Sequence, residues 1–132
     1  MEKVNLKKLK KIFEAEPKVR LAYFFGSAAT GEKGPLGDYD FVVYFGEKNK
    51  KQISGAQSRL IANISRALGT DKVDVAVLDS IDSPEFKYNV IKDGIIVFER
   101  EPARVFLEPR ILNEYFDFRI WITKNKLYAN RN

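Results

Sequence analysis

The 132-residue chain contains no cysteine and no histidine. Without cysteine it can form neither disulfides nor thiolate zinc sites. Without histidine it has no imidazole base and no imidazole metal ligand. No apolar run reaches membrane-spanning length, and residues 1–5 lack the apolar block of a signal peptide, so we expect a cytoplasmic protein that does not bind membranes. Any catalysis must therefore use carboxylates, hydroxyls, lysine, arginine and hard metal ions.

The length and composition suit one compact domain spanning residues 1–132. Hydrophobic residues make up 45% of the chain and charged residues 31%, which is typical of globular proteins. The net charge of +5 permits anionic partners such as nucleotides or RNA. Because the lysines between residues 3 and 11 alternate with apolar residues at helical spacing, we interpret them as a solvated helix face. Direct nucleic-acid binding is therefore not expected, although the charge leaves it open.

Hydrophobic periodicity predicts helices alternating with strands. Helices are predicted over 4–14, 52–68 and 83–92, strands over 19–25, 38–45, 72–78 and 95–98, and a short helix after Gly26-Ser27. A long C-terminal helix should begin near Pro102 and can break near Pro109. This order indicates an α/β or α+β fold around a four-stranded sheet. Aromatic side chains widen the apolar surface of the last helix, which favours a protein interface and packing on its own sheet about equally: Phe106, Phe116, Trp121 and Tyr128.

Two short motifs follow the first predicted strand. Gly26 and Ser27 form a sharp turn whose amides, together with the serine hydroxyl, can hold a phosphate. Asp38 and Asp40 are two residues apart in the next strand, so both carboxylates leave one face and repel each other unless a cation lies between them. Asp74 enters the third strand in the same way. Three carboxylates converge if those two strands are neighbours.

The combination of these motifs is more specific than either motif alone. With sulfur and imidazole excluded, oxygen ligands favour Mg²⁺ or Mn²⁺. A phosphate-binding turn followed by paired aspartates indicates a nucleotide-phosphate and metal site. Such a site is suited to phosphoryl or nucleotidyl transfer.

The order of these residues resembles a known family. Gly26-Ser27 with Gly31, then Asp38-Tyr39-Asp40, then Asp74 on a later strand is similar to the minimal nucleotidyltransferases (MNT) of the DNA polymerase β superfamily, and most of all to the MntA-type antitoxins of HEPN–MNT toxin–antitoxin pairs. The resemblance covers most of residues 20–120. It implies a nucleotidyltransferase-like fold, with a mixed four-stranded sheet flanked by helices and a long C-terminal helix.

The resemblance also implies an activity, which is transfer of adenylyl from ATP to a tyrosine of a partner HEPN toxin. That toxin would be all-helical and encoded next to this protein. Gly26 and Ser27 would hold the β- and γ-phosphates of ATP. Asp38 and Asp40 would bind the metal ions, Mg²⁺ or Mn²⁺. Asp74 would complete the metal site nearest the acceptor and help to remove the hydroxyl proton.

One departure from the family and two alternative functions accompany this prediction. Family members often carry arginine in the Gly-Ser turn, where this chain has Ala28-Ala29-Thr30, so Lys33 or a partner side chain would have to supply the cation. One alternative is a non-catalytic antitoxin that neutralises its partner by contact. The other is nucleotidyl transfer to RNA or a small molecule, for which we find no additional acceptor domain.

Overall fold

The computed structural model of the protein describes residues 6–25 and 39–130, which form four helices and four strands. In chain order these are α1 (Leu6–Glu14), β1 (Leu21–Phe25), β2 (Tyr39–Tyr44), α2 (Lys50–Leu68), β3 (Val73–Val77), α3 (Pro84–Asp93), β4 (Ile95–Glu99) and α4 (Ala103–Asn130). A 3₁₀ turn over Leu78–Ser80 follows β3. The short helix predicted after Gly26-Ser27 lies outside the described residues. Within them, no helix has the length and apolarity needed to cross a bilayer.

The strands form one mixed sheet in the order β3-β2-β1-β4. β1 pairs antiparallel with β2 and with β4, whereas β2 and β3 run parallel. The parallel pair requires a long crossover, which α2 provides by packing across one face of the sheet. The predicted four-stranded α/β architecture is therefore confirmed, and β2, which carries Asp40, lies in the interior of the sheet.

Capping residues set the ends of two helices, and α2 begins two residues before its predicted start at residue 52. The Asn49 side chain accepts hydrogen bonds from the backbone N–H groups of Lys51 and Gln52 at the start of α2. Gly69 ends that helix with φ at 69°, a left-handed conformation that glycine adopts without steric cost. The Ser83 hydroxyl accepts from the N–H of Phe86 and begins α3.

The two faces of the sheet bury two separate clusters. Residues at odd positions in β2, such as Phe41 and Val43, point toward α1 and α2. Residues at even positions, such as Val42, point toward α3 and α4. This alternation is the ordinary period-two geometry of a strand and fixes which residues can share a face with Asp40.

The C-terminal helix α4 is continuous, so a break near Pro109 is wrong. Proline at this position has no N–H to donate, and its ring crowds the carbonyl four residues earlier. That carbonyl belongs to Val105, whose side chain is 68% exposed, so it lies on the solvent side, where a helix can bend outward. Leu107 and Ile111, about one helical turn apart, are buried on the sheet.

Candidate functional site

Two predicted site residues lie side by side in the sheet. Asp40 on β2 and Asp74 on β3 are register partners in the parallel pair, and each is the second residue of its strand. Their backbones are therefore separated by the inter-strand spacing of about 4.8 Å. Alternation places both side chains on the face of α3 and α4, with Asp40 half-buried and Asp74 exposed. The convergence expected from the sequence occurs for this pair.

Hydrogen bonds at both ends of β2 hold this register. At the entrance to the two strands the N–H of Tyr39 donates to the carbonyl of Lys72 at 2.9 Å. At the far end the Asp79 carboxylate accepts from the N–H of Phe45 at 2.9 Å and of Gly46 at 2.8 Å. Because a one-residue slip would turn either aspartate to the opposite face, these bonds position the carboxylates.

The third strand is also tied to the helix beneath it. The Gln57 side-chain amide on α2 donates to the carbonyl of Val75 at 2.6 Å, next to Asp74. Asn49 begins α2 immediately after the β2 connection, so this helix spans the two strands that carry the aspartates. The carboxylate pair therefore lies on a part of the sheet that hydrogen bonds hold in place. A site that orients ligands needs such a rigid support.

Aromatic residues border the carboxylates on the same face. Phe25 at the end of β1 is the register partner of Asp40. Its ring meets Phe86 of α3 edge-on, with ring centroids 5.6 Å apart and planes at 75°. An apolar wall of this kind lowers the local dielectric and strengthens the interaction of nearby carboxylates with a cation.

A buried tyrosine connects this face to the C-terminal helix. Tyr23 on β1 is fully buried, and its hydroxyl donates to the Glu108 carboxylate on α4 at 2.6 Å. Glu108 also pairs with Arg104 at 3.2 Å. Burial, followed by the hydrogen bond to Glu108, raises the pKa of Tyr23 far above its usual value, so the phenol stays protonated and serves as a structural donor.

The remaining predicted site residues, Gly26, Ser27 and Asp38, lie outside the described residues. In the described part of the chain no group of three or more acidic side chains gathers in one place. Asp40 and Asp74 supply oxygen ligands on a single face, the donor type that Mg²⁺ and Mn²⁺ prefer. The donor chemistry of this pair therefore fits a divalent ion, and a third carboxylate would have to come from elsewhere in the chain.

Sequence reasoning missed the residues that position the pair. Asp79 directly follows the strand of Asp74, and an acidic residue at a strand end was the only available signal for it. Gln57 lies between apolar helix positions, and its partner is a carbonyl on another element, which no local pattern indicates. Phe25 and Phe86 were recognisable as apolar but not as neighbours of Asp40.

The part of the sequence that contains this site is similar to a known protein family. Residues 7–103 match the family model described as "Polymerase beta, Nucleotidyltransferase". The chain belongs to this nucleotidyltransferase family. The match includes both aspartates and the whole four-stranded sheet. No curated protein matches the sequence significantly.

Solved structures show the same nucleotidyltransferase fold. A toxin–antitoxin structure with AMP-PNP aligns with a TM-score of 0.72 at 22% identity, over 94% of this chain and 99% of that one. The MntA-HepT toxin–antitoxin structure gives a TM-score of 0.65 at 21% identity, over 93% and 97% of the two chains. A protein from Shewanella oneidensis gives 0.65 at 18% identity, over 96% and 99%. The family resemblance and the nucleotidyltransferase-like fold with its mixed sheet and long last helix are confirmed.

Proposed function

We propose that this nucleotidyltransferase transfers adenylyl from ATP to a tyrosine of a partner HEPN-family toxin and thereby acts as its antitoxin. The observation that carries the proposal is the pairing of Asp40 with Asp74 on one face of a braced sheet. The structures that share its fold support it, since one is a toxin–antitoxin with AMP-PNP and another is MntA-HepT.

The proposed reaction is an in-line displacement at the α-phosphorus of ATP. The tyrosine Oη forms a new bond to that phosphorus, the bond from phosphorus to the bridging oxygen of the β-phosphate breaks, and pyrophosphate leaves. Asp74 lies on the acceptor side and helps to take up the phenolic proton. Gly26 and Ser27 would hold the β- and γ-phosphates.

The carboxylates would also hold Mg²⁺ or Mn²⁺ through Asp38, Asp40 and Asp74. Bound there, divalent ions supply stabilisation of charge on the attacking and leaving oxygens. The wall formed by Phe25 and Phe86 limits water beside the reacting groups.

The acceptor protein would dock on the exposed side of α4. Five large hydrophobic side chains on this helix are more than half exposed: Val105, Phe106, Phe116, Ile120 and Trp121. At 100° per residue they fall on one side of the helix. Exposed apolar groups concentrated in this way mark protein interfaces, and aromatic residues dominate interface energies. A partner bound here lies on the same face of the sheet as the carboxylates.

This proposal is tested by incubating the protein with α-labelled ATP, Mg²⁺ and the product of the adjacent gene. We expect label on a tyrosine of that product. The triple variant Asp38→Asn/Asp40→Asn/Asp74→Asn should label it at least about 100-fold more slowly, because it loses the ligands of the stabilising ions. The control Asp82→Asn/Asp93→Asn changes two exposed aspartates that lie outside β2 and β3, and it should label at the normal rate. Unlabelled partner, or equal labelling by the triple variant, would count against the proposal.

Neutralisation by contact alone is a second candidate, and the exposed apolar surface of α4 favours it. It is separated from catalysis by the same triple variant in a growth assay with the toxin. If the variant still suppresses toxicity completely, contact is sufficient and the carboxylates are dispensable. If suppression is lost while the complex still forms, adenylyl transfer is the neutralising event.

A further inference from the structure

The positive charge of the protein is concentrated on α1 and α2. These two helices hold eight of the 23 lysines and arginines and one of the 18 aspartates and glutamates. They therefore carry +7, and the remaining residues carry −2 of the total of +5. The carboxylate pair lies on the opposite face of the sheet. The net charge that was open to several interpretations in the sequence thus belongs to one helical layer.

Part of this layer forms a concave basic surface. A groove of about 390 Å³ lies between α1 and the end of α2, with Lys8 and Lys11 on one wall and Arg66 on the other. None of the described residues that line it is acidic. The Arg66 guanidinium donates to the side-chain oxygen of Asn63, which also lines the groove, at 3.3 Å. Cations contributed by two elements face one depression.

The basic residues continue along α2 to a second depression of about 290 Å³, lined by Lys18, Lys51 and Arg59. Here acidic partners compensate two of the charges, since Glu16 pairs with Arg59 and Glu47 with Lys18, each at 2.8 Å. These ion pairs weaken the attraction of the second depression for an anion. From Lys51 to Ala67, the outermost α2 residues that line the two sites, the helix rises about 24 Å.

Helix dipoles favour two of the three groove cations, because Lys11 and Arg66 lie in the last turns of α1 and α2. They do not favour the lysines in the first turns. Both helices lack an acidic residue in the first turn. Lysines occupy that turn instead, Lys7 and Lys8 in α1 and Lys50 and Lys51 in α2. Positive charge at the positive end of a helix dipole is unfavourable. Among the three groove cations, Lys8 is thus the one that its helix dipole does not favour.

The chemistry of the surface favours a nucleic-acid strand over a lipid surface. Among the large hydrophobic side chains that are exposed in the described residues, only Leu6 belongs to this layer, so it lacks the apolar anchors of a membrane-binding helix. The one aromatic residue in α1 and α2, Phe13, is fully buried, so bases cannot stack here. What remains is contact with phosphates, which is independent of sequence.

We propose that the groove between α1 and α2, formed by Lys8, Lys11 and Arg66, binds the phosphate backbone of a nucleic-acid strand. This function does not depend on adenylyl transfer. It would hold RNA or DNA on the side of the sheet opposite the carboxylates and leave the α4 surface free for a partner protein.

The test is fluorescence anisotropy with a labelled single-stranded RNA of about 20 nucleotides and a DNA duplex of similar length, titrated from low to high salt. We expect affinity to fall linearly with log salt. The variant Lys8→Glu/Lys11→Glu/Arg66→Glu should bind at least about tenfold more weakly, and the salt slope should become shallower by about two to three. A second variant carries glutamine, a good helix former, at the same three positions. It should show the same loss of affinity. If charge reversal unfolds the protein, this variant tests the proposal instead.

The matched control is Arg119→Glu/Lys124→Glu/Lys126→Glu on the exposed part of α4, which changes the net charge equally. It should reduce affinity no more than about threefold. Equal losses in the two triple variants, or no binding to either nucleic acid at low salt, would overturn the proposal. Binding to anionic phospholipid vesicles without binding to RNA or DNA would also overturn it. Labelling of the partner from ATP should be unchanged in the groove variant, so this proposal and the proposed function fail independently.

Discussion

The two helical layers of this domain, α1 with α2 and α3 with α4, differ in how much of each helix is buried against the sheet. On one face α1 and α2 bury apolar side chains along most of their length, including Leu9, Phe13, Leu60 and Ile64, all inaccessible to solvent. On the other face α4 has 28 residues and is about 42 Å long. Among its side chains whose burial the structure describes, residues 103–126, the buried ones are Leu107 and Ile111, near its start. The first layer packs on the sheet along most of its length and presents charge. The second extends beyond strands of five or six residues and presents apolar surface.

Because of this difference, substitutions at buried positions of α1 and α2 should alter the stability of the domain. Substitutions on the exposed part of α4 should alter its association with a partner. A fully buried side chain has its neighbours inside the domain, so its removal leaves a cavity. An exposed tryptophan or phenylalanine on α4 has few such neighbours, so its removal leaves the domain intact.

The largest effect that separates the layers is expected at Phe116 and Trp121. Changing both to glutamine should weaken binding of the partner by about 30- to 1,000-fold, equivalent to about 2–4 kcal/mol, because aromatic residues at interface centres carry most of the affinity. The free energy of unfolding should change by less than about 0.5 kcal/mol. Calorimetric titration and urea unfolding measure the two quantities.

The control for that pair is Leu6→Gln, which removes an exposed leucine from α1. It should leave partner binding unchanged. If Phe116→Gln/Trp121→Gln binds the partner within threefold of the unaltered protein, the apolar side of α4 is not the docking surface.

Much of this two-layer organisation could be predicted from the sequence. The end of α2 at Leu68, the start of α3 near residue 83 and the strand of Asp74 depend on local chemistry, and all three predictions are confirmed. The pairing of Asp40 with Asp74 could be expected only if their strands were neighbours, because strand order is set by long-range packing. The continuity of α4 through Pro109 was missed since it depends on which side of the helix faces solvent.

The concentration of positive charge on one helical layer could also not be predicted from the order of residues along the chain. A lysine-rich helix is ordinarily a solvated face. Only the position of Arg66 across a groove from Lys8 and Lys11 shows that separate segments contribute to one basic surface. The phosphate-binding role of Gly26 and Ser27 and the metal-binding role of Asp38, Asp40 and Asp74 stay predictions from the sequence.

A smaller effect, on stability, is expected at the contact between β1 and α4. Tyr23→Phe removes the hydroxyl that donates to Glu108 from inside the sheet, while Arg104 keeps its pairing with that carboxylate. The loss of one buried, charge-assisted hydrogen bond should lower the free energy of unfolding by about 1–2 kcal/mol. Tyr88→Phe, which keeps the ring stacked on Tyr115, should cost less than about 0.5 kcal/mol in the same urea titration. Equal costs would mean that the Tyr23 contact does not join sheet and helix.

The smallest effect concerns pH and the loop that leads into α2. The hydrogen bond from Lys18, supported by the N–H groups of Asn49 and Lys48, lowers the pKa of Glu47 to about 2. Because the folded value lies below the unfolded one, this contribution to stability is present above about pH 4.5 and is lost as pH falls toward 2. Glu47→Gln should therefore make unfolding less dependent on pH in that window.

The control for Glu47 is Glu85→Gln, at an exposed position in the first turn of α3. It should keep the pH dependence between about 4.5 and 2. Urea titrations at several pH values measure the free energy of unfolding of both variants. If its dependence on pH is unchanged in Glu47→Gln, the Lys18 contact is not the cause of that dependence.

The most direct measurement compares two variants in two assays: Asp40→Asn/Asp74→Asn and Lys8→Glu/Lys11→Glu/Arg66→Glu, each tested for labelling of the partner from ATP and for binding to RNA. We expect the carboxylate variant to lose labelling and keep RNA binding, and the groove variant to do the reverse. If either variant loses both activities while remaining folded, the two faces of the sheet are not functionally separate.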